Sequence, residues 1–161
     1  MEGSPNSTLM TRKISVDDEG PPVDFCFRET GSSPLVVYAT AFGGIVGLDL
    51  RSNSLAFRLE NDLLEGLQTS MAMSSDQSWL VNGTSSGVIT CWDLRFQMPI
   101  VKCTHPAESR IRQLDIPGSG KKNSRFSAFF QGSLKMRAEA LEIVEVVLRL
   151  LEAKSHYKYV S

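Results

Sequence analysis

Two stretches of the chain, PLVVYATAFGGIVGLDLR at 34–51 and SWLVNGTSSGVITCWDLR at 78–95, are copies of one pattern. Laid over each other at an offset of 44 without a gap, they share seven of eighteen positions: Val37/Val81, Thr40/Thr84, Gly43/Gly87, Ile45/Ile89, Asp49/Asp93, Leu50/Leu94 and Arg51/Arg95. An internal repeat of this length marks an architecture of stacked units, each too small to bury its own apolar face. Within the second copy, Trp79–Gly83 and Val88–Trp92 read as strands, rich in β-branched and aromatic residues. Thr84-Ser85-Ser86-Gly87 between them is a hairpin turn, with Gly87 supplying a positive φ. Leu67–Met73 before the copy and Pro99–Cys103 after it complete a unit of four strands. The first unit repeats the order as Val23–Phe27, Leu35–Thr40, Ile45–Leu48 and Leu55–Leu59. Ile111–Ile116 opens a third unit.

A four-stranded sheet recurring every ~40–45 residues is the pattern of a WD-repeat propeller blade. Met73-Ser74-Ser75-Asp76, then Leu80-Val81-Asn82-Gly83-Thr84, then Gly87-Val88-Ile89-Thr90-Cys91-Trp92-Asp93 resemble one blade of that family. The residues taken as its signature are Asp49, Gly83, Gly87, Trp92 and Asp93. The match departs from the family in three ways. No Gly-His dipeptide precedes either blade, Ser86 stands where an Asp is common, and Leu48-Asp49 replaces Trp-Asp. The expected fold class is therefore all-β: two propeller blades plus one opening strand, followed by a C-terminal α-helix foreign to a propeller.

The runs Tyr38-Ala39-Thr40, Gly47–Ser52, Cys91–Ile100 and His105–Arg112 narrow the likeness. Together they resemble the C-terminal propeller of the phosphoinositide 3-kinase regulatory subunit 4 family, scaffolds of the class III lipid kinase complex. That resemblance implies a non-catalytic scaffold or interaction module serving autophagy and endosomal and vacuolar protein sorting. It implies as partners the lipid kinase catalytic subunit and its autophagy and endosomal regulators. It places the chain in the cytoplasm, peripheral on late endosomes and autophagosomes. The family also carries a kinase-like domain, and no glycine-rich loop, His-Arg-Asp or Asp-Phe-Gly motif occurs in this sequence. An unrelated WD-repeat adaptor, presenting ligase substrates or reading chromatin marks, is the alternative.

The whole sequence is consistent with a globular domain. It has 161 residues, 42% apolar and 22% charged. No apolar run approaches the ~18 residues of a membrane span, and Met1–Pro5 lacks the basic start and apolar core of a secretory signal. The net charge of −1 divides into an acidic 1–120, with 9 Lys/Arg against 14 Asp/Glu, and a mildly basic 121–161, with 8 against 4. Neither half carries the basic stripe of a nucleic-acid binder. Three cysteines without a CxxC pair and two histidines do not make a zinc site, so buried free thiols are expected, with no metal and no cofactor. No catalytic residues are expected either, because His105 and His156 lack a nucleophilic setting. Arg51, Arg95 and Phe96, after the third strand of each blade, are the candidate partner-binding residues; Arg95-Phe96 pairs types enriched at interface hot spots. The alternative for both arginines is a bond to their own turn or a nearby aspartate.

The domain plan runs as a flexible lead at 1–22, the partial propeller at 23–117, a linker at 118–133, an amphipathic helix at 134–154 and a tail at 155–161. In the lead, Thr11-Arg12-Lys13-Ile14-Ser15 puts two basic residues upstream of a serine, as some kinases prefer. In the helix, Leu134, Leu141, Val144, Leu148 and Leu151 share a face. A propeller needs typically 4–8 blades, so a chain of this length is expected to leave blade faces open and to need a cover from its own tail or another chain.

Overall fold

The computed structural model describes residues 12–30, 33–74, 77–105, 108–116 and 127–130. Two four-stranded antiparallel sheets follow one another along the chain. The first is β1 (Pro22–Thr30), β2 (Ser33–Thr40), β3 (Gly44–Asp49) and β4 (Ser54–Glu60), in that spatial order. A 3-10 turn at Leu63–Glu65 leads to the second. That sheet is β5 (Gln68–Met73), β6 (Trp79–Thr84), β7 (Val88–Asp93) and β8 (Met98–Thr104). These are the two blades expected from the repeat.

The equivalence holds bond by bond. The Gly43 N–H donates to the Thr40 carbonyl at 3.1 Å, and that of Gly87 to Thr84 at 3.2 Å. The Leu50 N–H reaches the Pro34 carbonyl at 3.0 Å, and that of Leu94 reaches Ser78 at 2.9 Å. The hairpin into the fourth strand uses a non-glycine residue at φ 53 in both blades, Asn53 and Gln97. A bulge falls at Gly47/Leu48 in one blade and at Cys91/Trp92 in the other.

Burial shows why neither sheet is a free-standing layer. Every residue of β6 and β7 is buried, so both faces of the second blade are covered. One face meets the first blade, where Val37, Ile45, Phe57 and Leu59 pack against Met71, Met73, Leu80 and Trp92. The other, through Val81, Ile89 and Cys91, packs on Ile111 and Leu114 of the next unit. The outer strands β4 and β8 are largely exposed and carry Arg58, Glu60 and Lys102, charges that discourage pairing at an open edge. The inner strands are stitched from blade to blade. Asp24 Oδ2 accepts the Met71 N–H at 2.8 Å, and Ser70 Oγ accepts the Leu114 N–H at 2.9 Å.

Two features add to the expected plan. The third unit is more than one opening strand: β9 (Ile111–Asp115) pairs antiparallel with β10 (Ser127–Phe130), inside the span assigned to a linker. The repeat spacing puts a second strand near residue 123, and the later start of β10 breaks the register that would have revealed it. The lead is also not wholly a loose arm. Residues 16–19 form a single helical turn, α1 (Val16–Glu19), and Ile14 packs on Tyr38, Val46 and Leu48 of the first blade. The Ala41 N–H donates to the Pro21 carbonyl at 2.9 Å, tying this strap to the β2–β3 turn. The helix expected at 134–154, the tail at 155–161 and residues 1–11 lie outside the described residues.

Candidate interaction surface at the blade ends

The residues after β3 and β7 are positioned by an aspartate closing its own turn. Asp49 Oδ1 accepts the backbone N–H groups of Arg51 at 2.8 Å and Ser52 at 3.3 Å. Asp93 Oδ1 accepts the Arg95 N–H at 2.9 Å. Side-chain-to-backbone turns of this kind are what aspartate does best. Both carboxyls sit below the usual carboxylate range. The backbone donors do this at Asp49, and at Asp93 the guanidinium of Arg95 is the first cause. Anions held by donors in this way are acceptors and anchors, not acids poised for proton transfer.

From there the two blades diverge. Arg95 forks onto Asp93, Nε to Oδ1 at 3.0 Å and Nη2 to Oδ2 at 2.5 Å. Its guanidinium also lies 5.7 Å from the Phe96 ring centroid. Phe96 is 68% exposed, so the cation and the ring form one raised surface feature. Arg51 is exposed as well, and it is through its backbone N–H that it bonds the aspartate of its own turn. The bond to a nearby aspartate thus holds for the Arg95 side chain.

A cleft of about 230 Å³ opens between the two blades beside this feature. Leu35, Asp49 and Phe57 of the first blade line it, facing Leu94 and Arg95 of the second. The structure therefore brings Asp49 and Arg95 to one place and sets Phe96 next to it, while Arg51 falls outside the lining. An apolar floor between a carboxylate and an arginine, with an exposed ring alongside, is equipped to hold a protein segment carrying a hydrophobic side chain and a charge.

The other signature residues build the scaffold. Trp92 is buried and its indole N–H donates to Asn82 Oδ1 at 2.6 Å. Gly83 is tight against the third unit, where an added Cβ would lie 2.8 Å from Ile111 Cγ2. Gly87 has φ +78, and a Cβ there would meet the Ser109 carbonyl at 2.9 Å. Asn82, Asp24 and Ser70 escaped the sequence reading. The available signal was the equivalent place of Asp24 and Ser70 beside matching bulges in β1 and β5. His105 is buried, and its N–H donates to the Gly87 carbonyl at 2.9 Å, as that of Asn61 does to Gly43 at 3.0 Å. Burial pushes the Cys91 thiol up to about 12 and the Cys26 thiol up to about 11, so both stay protonated at neutral pH. Among the described residues no group of three or more His, Cys, Asp or Glu converges on a point, and no helix is long and apolar enough to cross a membrane.

No family model matches the chain. A protein of Dictyostelium discoideum named as a probable serine/threonine-protein kinase vps15 is 45% identical over 89 residues, 55% of this chain and 4% of that one. The serine/threonine-protein kinase VPS15 of Arabidopsis thaliana is 40% identical over 83 residues, 52% of this chain and 6% of that one. The chain thus resembles a small part of much longer VPS15 proteins. Among solved structures, the β-propeller domain of Myceliophteria thermophila Cps50 (Swd1) superposes with a TM-score of 0.54 at 16% identity, covering 68% of this chain and 32% of that one. That likeness shows the fold: these are β-propeller blades.

Proposed function

We propose that the chain acts as a non-catalytic WD-repeat interaction module of a VPS15-type scaffold, the regulatory subunit of a class III phosphatidylinositol 3-kinase complex. The observation that carries this reading is the 45% identity over 89 residues to a vps15 protein, a length close to that of the two blades. The blades supply walls and a cleft, and the Asp49 carboxylate that braces its own hairpin also lines that cleft, which suits binding rather than turnover. The work of the parent assembly is endosomal and vacuolar sorting and autophagy, and its partners are the lipid kinase catalytic subunit and the regulators that accompany it. Arg95, Phe96 and Asp49 are the residues through which this chain would meet them, with Arg51 contributing from the neighbouring turn.

Co-precipitation from cells tests the reading. The tagged chain is expected to retain the class III catalytic subunit, and a Phe96→Ser, Asp49→Ser variant is expected to retain several-fold less at unchanged expression. A chain that retains none of the complex's subunits overturns it.

A further inference from the structure

We propose that Ser15 is a phosphorylation site for a kinase that prefers basic residues upstream, and that the phosphoryl group releases the N-terminal strap from the face of the first blade. Arg12 and Lys13 lie three and two residues ahead of Ser15, and the serine is partly exposed. The strap is held by few contacts. Arg12 pairs with Glu19 at 3.2 Å and lies 5.6 Å from the centroid of the Tyr38 ring. Among the described residues Ile14 is its one apolar anchor, on Tyr38, Val46 and Leu48, and the Ala41 and Phe42 amides donate to its Pro21 and Glu19 carbonyls at 2.9 and 3.3 Å. The four residues of α1 include no buried side chain. One helical turn with so little burial opens locally far more often than the sheet beneath it, and the opened form is the extended segment a kinase can bind.

The chemistry then acts against reclosure. In the closed strap, Ser15 Oγ donates to Asp18 Oδ2 at 2.7 Å, and Asp17 and Glu19 flank that carboxylate. The kinase breaks the bond from the γ-phosphorus of ATP to its bridging oxygen and forms the bond from that phosphorus to Ser15 Oγ, releasing ADP and the hydroxyl proton. The donor is then gone, and a group of charge ≈ −1.5 to −2 stands where a carboxylate expects a hydrogen bond. Arg12 and Lys13, three and two residues upstream, are cations the new anion attracts, and for Arg12 that attraction competes with Glu19. Ser15 is also the N-cap of α1, but Asp17, Asp18 and Glu19 fill that first turn, so the added charge meets like charges there and both changes work against the closed strap. Opening uncovers Tyr38, Val46 and Leu48, which share a sheet face with the already exposed Phe25, Phe27 and Leu55.

The test uses the full chain, ATP and the catalytic subunit of cyclic-AMP-dependent protein kinase as the basophilic probe. Mass spectrometry locates the label, and amide hydrogen exchange reads the strap at residues 12–21 and the sheet at 38–48. Ser15 is expected to take one phosphoryl group, and exchange in the strap and at the Ala41 and Phe42 amides is expected to quicken at least tenfold. Ser15→Ala is the control, because Lys121-Lys122-Asn123-Ser124 offers a second basic site: the same treatment of that variant should leave strap exchange unchanged. No label on Ser15, a label with exchange unchanged, or equal quickening in the Ser15→Ala chain overturns the proposal.

Discussion

At the scale of single residues, local polar contacts brace each blade. Trp92 and Asn82 are the clearest case, a buried indole N–H on a buried amide oxygen. Trp92→Phe keeps the ring in place and strands Asn82, at an expected cost of about 1–3 kcal/mol in urea unfolding. Asp93 behaves differently because its partner is half in water. Its carboxyl is lowered in the folded chain relative to 3.8, chiefly by Arg95. Its contribution is therefore present above the unfolded value and lost as pH falls through the lower folded one. Asp93→Asn is expected to lose at most about 1 kcal/mol at neutral pH. The gap to the parent should stay open down to about pH 4 and close only in stronger acid, as read by urea midpoints across that range.

Among strands and turns, two kinds of tie hold one blade to the next: apolar contact across the faces, and a few polar bonds between inner strands. Asp24→Ala removes the acceptor of the Met71 N–H, which lies 47 residues away. About 1–3 kcal/mol should be lost, with faster hydrogen exchange at Met71 and recovery in Asp24→Asn. Gly83→Ala tests the facing contact, since its methyl would drive into Ile111. Exchange should rise in β9 more than in β3. The strands and turns were readable in the sequence because each strand carries its own propensity and each turn its own glycine, asparagine or aspartate, repeated at 44. The Asp49 and Asp93 turns were legible for the same reason. Three features were not. The strap rests on one isoleucine in a polar segment, β10 falls out of the repeat spacing, and the Asp49–Arg95 cleft joins residues 46 apart in sequence that only the stacking of blades brings together.

Taken whole, the described residues form a short stack whose second blade is sandwiched between neighbours and whose first, among those residues, carries only the N-terminal strap on its outer face. Stability in such a stack is a sum of units and their shared faces, so equal truncations should cost unequal amounts. Leu80, fully buried between blades, should lose about 2–5 kcal/mol as Leu80→Ala. Leu55, 53% exposed on the open face, should lose almost nothing as Leu55→Ser. The open face has a second consequence. Phe25 is 76% and Phe27 48% exposed, on an inner strand directly beside Tyr38 and Val36. Apolar area of that kind invites contact between copies when nothing covers it. Light scattering of the parent is expected to rise with concentration. The double variant Phe25→Ser, Phe27→Ser should stay monodisperse at the same concentrations, with its urea midpoint nearly unchanged because neither ring is buried. Scattering that is identical in the two chains would mean that the face attracts no copy of itself, and that the cover it needs is already provided within the chain.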